Sequence, residues 1–143
     1  MFCEIISGIF ISDSKSALNE YFYNKYKIDM VFNCTVDNPF IHLTKINQSD
    51  IKKMRIPLSY DMLYETDIQS LKKNLDKICY LIKENFLLHN ILICCYDGLK
   101  ISPLILALFL MKEGNIPKTD IHSILTSKNK DICLDYNLDL FFE

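Results

Sequence analysis

Ile91-Leu92-Ile93-Cys94-Cys95-Tyr96-Asp97-Gly98-Leu99-Lys100-Ile101-Ser102-Pro103 is the stretch on which the reading of this chain turns. Its first four residues form an apolar run of strand length, expected to be buried in a sheet. Gly98 lets the backbone turn and aim successive amides inward. Ser102 is a suitable N-cap and Pro103 a suitable first helical residue. A strand, a tight loop and a helix start together favour an anion, because the first helical N–H groups lack partners and the helix dipole is positive there. A thiol at the start of such a loop has a lowered pKa and can act as a nucleophile. Cys95 holds that place.

The elements around this stretch alternate. Residues 4–6 and 9–12 form short strands around Gly8, and Ser12 or Asp13 caps a helix over 14–25. Ile28 to Asn33 reads as a central strand, 35–50 as a polar loop, and Met54 to Leu58 as a strand whose end is marked by Pro57. Ile68, Leu71, Leu75, Ile78, Ile82 and Phe86 recur at steps of three and four, which predicts an amphipathic helix over 67–86. Residues 90–94 form a buried strand. Residues 102–111 are apolar nearly all round, so they predict a helix central to the core. A further helix is expected over 117–127, with Pro117 in its first turn, and a last short helix over 135–142. Strands alternating with helices point to an α/β layer fold. The 143 residues suit one domain spanning 1–143.

Composition excludes several functions. The net charge of −2 and the lack of a dense Lys/Arg run give no general attraction to nucleic acid or to an anionic membrane. The most apolar run is too short to span a bilayer, and the N-terminus lacks a basic segment ahead of an apolar one. A cytoplasmic location is the expectation. Cys3, Cys34, Cys79, Cys94, Cys95 and Cys133 are then expected to be buried thiols rather than disulfides. Cys94 and Cys95 should face opposite sides of the sheet, which opposes a bond between them. No metal site or cofactor is expected: the cysteines lack zinc-site spacing, and His42, His89 and His122 lie apart. Asn33-Cys34-Thr35 matches a glycosylation pattern but ends an apolar run, which argues against its use.

The opening stretch resembles the signature loop of cysteine-dependent protein phosphatases: His, Cys, two residues, Gly, two residues, Arg, then Ser or Thr. Cys95 falls on the nucleophile, Gly98 on the glycine and Ser102 on the hydroxyl residue; the loop spans Cys94, Cys95, Tyr96, Asp97, Gly98, Leu99, Lys100, Ile101 and Ser102. The resemblance extends along the chain. SGIFISDSKSALN, VFNCT, MRIPLSYDMLYETDI and the run Leu108-Phe109-Leu110-Met111 are similar, in order, to segments of dual-specificity phosphatases, and the ETDI ending is most like the compact poxviral type. This implies a single-domain cysteine-phosphatase fold with a central mixed sheet flanked by helices. It also implies a cytoplasmic setting, in the host cell or a virion if the chain is viral. The general-acid position falls on Tyr60 or Asp61.

Two departures stand out. Ile101 occupies the place of the family's arginine, and Cys94 that of its histidine. A guanidinium grips two phosphoryl oxygens and stabilises charge in the transition state. Losing one such preorganised donor costs about 3–4 kcal/mol, and a guanidinium aimed at a transferring phosphoryl group is worth about 10³–10⁵ in rate. Lys100 is a point charge without the planar fork, and Arg55, the chain's one arginine, lies on another strand. Asp97 reads as outward-facing. The expectation is a pseudophosphatase with a degenerate site at Cys95 and Asp61. It would act by binding a protein: a phosphoprotein, an active phosphatase, or a second copy of itself. The alternative is a weak residual phosphatase dependent on Cys95.

Overall fold

The computed structural model describes residues 1–43, 51–60 and 64–143. Five strands form one mixed sheet: β1 (Phe2–Ile6), β2 (Ile9–Ser12), β3 (Ile28–Asn33), β4 (Lys52–Arg55) and β5 (Asn90–Cys94), in the order β1-β2-β5-β3-β4. β1 pairs antiparallel with β2, and the remaining pairs are parallel. The helices are α1 (Glu20–Tyr26), α2 (Glu65–Asn85), α3 (Ile101–Gly114) and α4 (Lys118–Thr126). This is the α/β fold expected from the alternation of strand and helix patterns.

Residue alternation divides the core between the two faces of the sheet. Ile91, Ile93 and Cys95 join Ile9, Ile11, Met30 and Phe32 in a large cluster with α2, α3 and α4. Leu92 and Cys94 join Phe10, Val31 and Tyr23 in a smaller cluster with α1. Cys94 and Cys95 thus face opposite sides, as strand geometry requires. Every residue of α3 from Ile101 to Leu110 is buried, which matches its all-round apolar pattern. No helix among the described residues is long and apolar enough to cross a membrane.

The differences from expectation lie at element ends. The helix foreseen over 14–25 divides into a 3-10 turn at Ser16–Leu18 and α1, because Asn19 takes an extended conformation and its side chain accepts the Tyr21 N–H. Asn at such a place competes for backbone donors and restarts the helix. The strand foreseen over 54–58 runs over Lys52–Arg55 instead. Its partner β3 ends at Asn33, and the Ile56 N–H bond to the Asn33 carbonyl closes the ladder. α3 starts one residue before Ser102, with Lys100 in the cap position and no side-chain cap bond. Pro117 precedes α4 as its cap residue, and the tail forms a 3-10 helix, Leu138–Phe142.

α2 ends in a tight turn. Phe86 has φ −59° and ψ 134°, Leu87 has φ 75°, and the Leu88 N–H donates to the Asn85 carbonyl at 3.1 Å. These are the features of a type II turn, whose third position favours glycine. Leu87 holds that position with its side chain 80% exposed, so it contributes little burial to offset the left-handed backbone. Leu87→Gly is expected to stabilise the fold by about 0.5–1 kcal/mol, since the relief of strain exceeds the extra chain entropy of glycine. Urea denaturation should show a higher midpoint with an unchanged slope.

Candidate functional site

The chain leaves β5 at Cys94 and enters a loop that ends where α3 begins. β5 is the middle strand of the sheet, so this loop opens at the carboxyl edge of a mainly parallel sheet, the usual place for a ligand in such folds. Two backbone donors converge on the thiol: Gly98 N–H at 3.2 Å and Ser102 N–H at 3.3 Å from Cys95 Sγ. Gly98 has φ +73°, and a Cβ there would lie 2.8 Å from the Ser12 carbonyl carbon and 2.9 Å from the Asp13 nitrogen. Only glycine permits both the turn and this close approach to the end of β2. Ser102 serves the site through its backbone rather than as the N-cap foreseen. The earlier helix start places its N–H in the first turn, facing sulfur. Its Oγ is buried and has no hydrogen-bond partner.

The loop rests on a polar network. Cys95 N–H donates to the Ser12 carbonyl, and Ser14 Oγ donates to the Cys95 carbonyl at 3.0 Å. Asn38 Nδ2 donates to Ser14 Oγ at 2.7 Å, Asn33 Nδ2 to the Asn38 carbonyl at 2.9 Å, and Thr35 Oγ1 to Asn33 Oδ1 at 2.7 Å. Asn33 is therefore a buried structural residue, in keeping with the dismissal of the glycosylation pattern. Tyr96 ties the loop to two neighbours: its hydroxyl donates to the Leu58 carbonyl at 2.9 Å and accepts the Val36 N–H at 3.0 Å. Sequence reading missed these supports. The only signal was the cluster of Asn, Thr and Ser at strand ends, where short polar side chains satisfy backbone groups.

Of the two cations considered for the site, Arg55 is engaged elsewhere and Lys100 lies at its rim. Arg55 donates through Nη1 to the Thr35 carbonyl at 3.2 Å and through Nη2 to the Asn38 carbonyl at 2.8 Å. Its guanidinium carbon lies 5.0 Å from the centre of the Phe40 ring. Lys100 Nζ lies 5.3 Å from the centre of the Tyr60 ring. Ile101 is 1% exposed and packs in the main core.

Asp97 departs from expectation. It is not outward-facing: Oδ1 accepts the Leu99 N–H at 2.9 Å and lies 3.9 Å from Cys95 Sγ, while Oδ2 accepts the Tyr60 hydroxyl at 3.2 Å. A carboxylate two residues before an unpaired loop amide readily folds back onto it. Tyr60 also packs edge-on against Tyr96, with ring centres 5.5 Å apart. Asp61 lies outside the described residues. Ser59, beside Tyr60, is tied to Asp67 of α2 by both its hydroxyl and its N–H.

All six cysteines are free thiols. Burial, and then the neighbouring Cys95, push the Cys94 thiol up to about 12. Burial does the same to Cys79, and raises Cys34 well above its ordinary range. Cys94 is thus a neutral, buried group at physiological pH.

Residues 9–139 match the family model described as "Dual specificity phosphatase, catalytic domain". Among solved structures, the fold is similar to human DUSP28, at 12% identity and a TM-score of 0.81, over 99% of this chain and 90% of that one. It is similar to a mouse putative dual specificity phosphatase complexed with zinc tungstate, at 14% identity and a TM-score of 0.81, over 99% and 84%. A third is the human tyrosine phosphatase-like serine/threonine/tyrosine-interacting protein, at 12% identity and a TM-score of 0.78, over 99% and 93%. No curated protein sequence matches the chain.

The buried thiols predict an alkaline limit to stability. Cys94 and Cys79 hold their protons more tightly folded, at about 12, than at the ordinary value of 9.0. Their contribution is complete below about pH 9 and is lost as pH rises towards about 12, at up to ~1.4 kcal/mol per pH unit for each thiol. Denaturation at pH 8, 9 and 10 should show the decline, and Cys94→Ala should make it shallower.

Proposed function

We propose that this chain, which belongs to the dual-specificity phosphatase family, is a pseudophosphatase: it keeps the fold and loop of the family and acts by binding a protein rather than by hydrolysis. One observation carries the reading. Buried Ile101 stands where the family's signature has arginine, and the sole arginine, Arg55, is committed to the Thr35 and Asn38 carbonyls. A hydrocarbon at that position offers a phosphoryl oxygen no donor, and desolvating charge against it is unfavourable. Cys94 adds to this reading, because a thiol held neutral by burial supplies no positive charge beside Cys95.

The partner classes are a phosphoprotein, an active phosphatase whose substrate the chain shields, or a second copy of the chain. One structural relative carries "interacting protein" in its name, and binding is the role we carry over from it. The poxviral likeness of the ETDI segment is the basis for reading the expected cytoplasmic setting as that of a host cell or virion.

A second reading has its own support. Gly98 and Ser102 still direct N–H groups at Cys95 Sγ, the backbone cradle that a weak residual phosphatase would use. Assays with an aryl phosphate and a phosphotyrosine peptide separate the two. The binding role predicts no turnover above background; turnover abolished by Cys95→Ser would replace it with the residual enzyme. Ile101→Arg combined with Cys94→His is expected to restore measurable Cys95-dependent hydrolysis, at least tenfold above the parent chain, given the value of about 10³–10⁵ for such a guanidinium. Circular dichroism should first establish that the double variant folds.

A further inference from the structure

The Asp97 carboxylate lies where an anion bound by this loop would lie. Oδ1 takes the Leu99 N–H at 2.9 Å and stands 3.9 Å from Cys95 Sγ. An oxyanion seated above the thiol needs that donor and that volume. The α3 N-terminus beneath favours negative charge, and a carboxylate from within the loop meets that preference without an external ligand. The second oxygen is also engaged: Oδ2 accepts the Tyr60 hydroxyl at 3.2 Å. Tyr60 is in turn held edge-on against Tyr96, under Lys100 Nζ. The carboxylate is thus tied at one oxygen to the loop floor and at the other to the segment that follows β4.

Two further features bear on a site closed from within. Among the described residues Ser102 Oγ is fully buried without a hydrogen-bond partner, so Asp97 leaves it unsatisfied and an oxyanion that displaces the carboxylate would find it unused. Ile101 also removes the charge that would draw an incoming oxyanion in against Asp97. An external dianion therefore meets a carboxylate of its own sign on the donor it requires.

We infer that Asp97 is an internal plug: its carboxylate occupies the oxyanion position over Cys95, Tyr60 latches it there, and an external oxyanion enters only when Asp97 is displaced. This deepens the pseudophosphatase reading, on which it rests for the loop's role as a binding site, by stating what keeps that site shut. It also couples the site to the segment after β4, because whatever draws Tyr60 away releases one of the two carboxylate oxygens.

The test uses the full chain with Asp97→Ala, Asp97→Asn and Tyr60→Phe. Inorganic phosphate affinity is measured by calorimetry at constant ionic strength, and alkylation of Cys95 is followed by peptide mass spectrometry with anionic iodoacetate and neutral iodoacetamide. The plug predicts at least tenfold tighter phosphate binding by Asp97→Ala, with Tyr60→Phe between it and the parent. It also predicts a rise of severalfold in the iodoacetate-to-iodoacetamide rate ratio for Asp97→Asn, which keeps the side-chain shape and removes the charge. Unchanged phosphate affinity and an unchanged ratio in folded Asp97 variants would overturn it. Turnover by the parent chain would defeat the pseudophosphatase reading and leave these comparisons to decide the plug, so the two failures are distinguishable.

Discussion

Two backbone N–H groups pointing at one sulfur set the geometry on which the site depends. Gly98 and Ser102 reach Cys95 Sγ only because the chain reverses within four residues of leaving β5 and starts a helix at once. That reversal needs a positive φ at Gly98 and a contact with the Ser12–Asp13 backbone too close for any Cβ. The rest of the structure holds this arrangement in place. β5 lies between β2 and β3 and buries side chains on both faces, and α3 is buried along most of its length. The loop is thus mounted between two deeply buried elements, and movement of either would disturb packing over much of the core.

The polar residues around the loop support the backbone more than they serve chemistry. Asn33, Thr35, Asn38 and Ser14 form a chain of hydrogen bonds that ends on the Cys95 carbonyl. Arg55 joins that network at Thr35 and Asn38, where a planar fork suits two carbonyls held apart at fixed angles. The guanidinium of Arg55 is thus part of the loop scaffold. Ile101, the first residue of α3, packs into the hydrocarbon core beside this cradle.

Much of this was readable in the chain. The continuous apolar run from Ile91 to Cys94 pointed to a buried strand, the spacing from Ile68 to Phe86 to the long helix, and the order of strand, Gly98 and Ser102 to the loop between them. These are local signals, carried by side-chain period and backbone freedom. Element ends were less legible. Where β4 stops depends on where β3 stops, and where α1 starts depends on Asn19 winning a backbone donor. Neither is a property of the residues at the boundary alone.

The amino-acid sequence by itself determined the layer fold and the position of the thiol just ahead of a helix start, because pattern and residue identity are enough for each. Only the tertiary structure decided where the side chains around that thiol point. Asp97 reads as a solvated loop acid along the chain, yet it turns inward onto Leu99 N–H and meets Tyr60 from a different segment. Arg55, the one guanidinium available, is drawn to carbonyls of the loop after β3. A charged side chain settles on the nearest unsatisfied backbone partners, and which partners are near is known only once distant strands lie side by side.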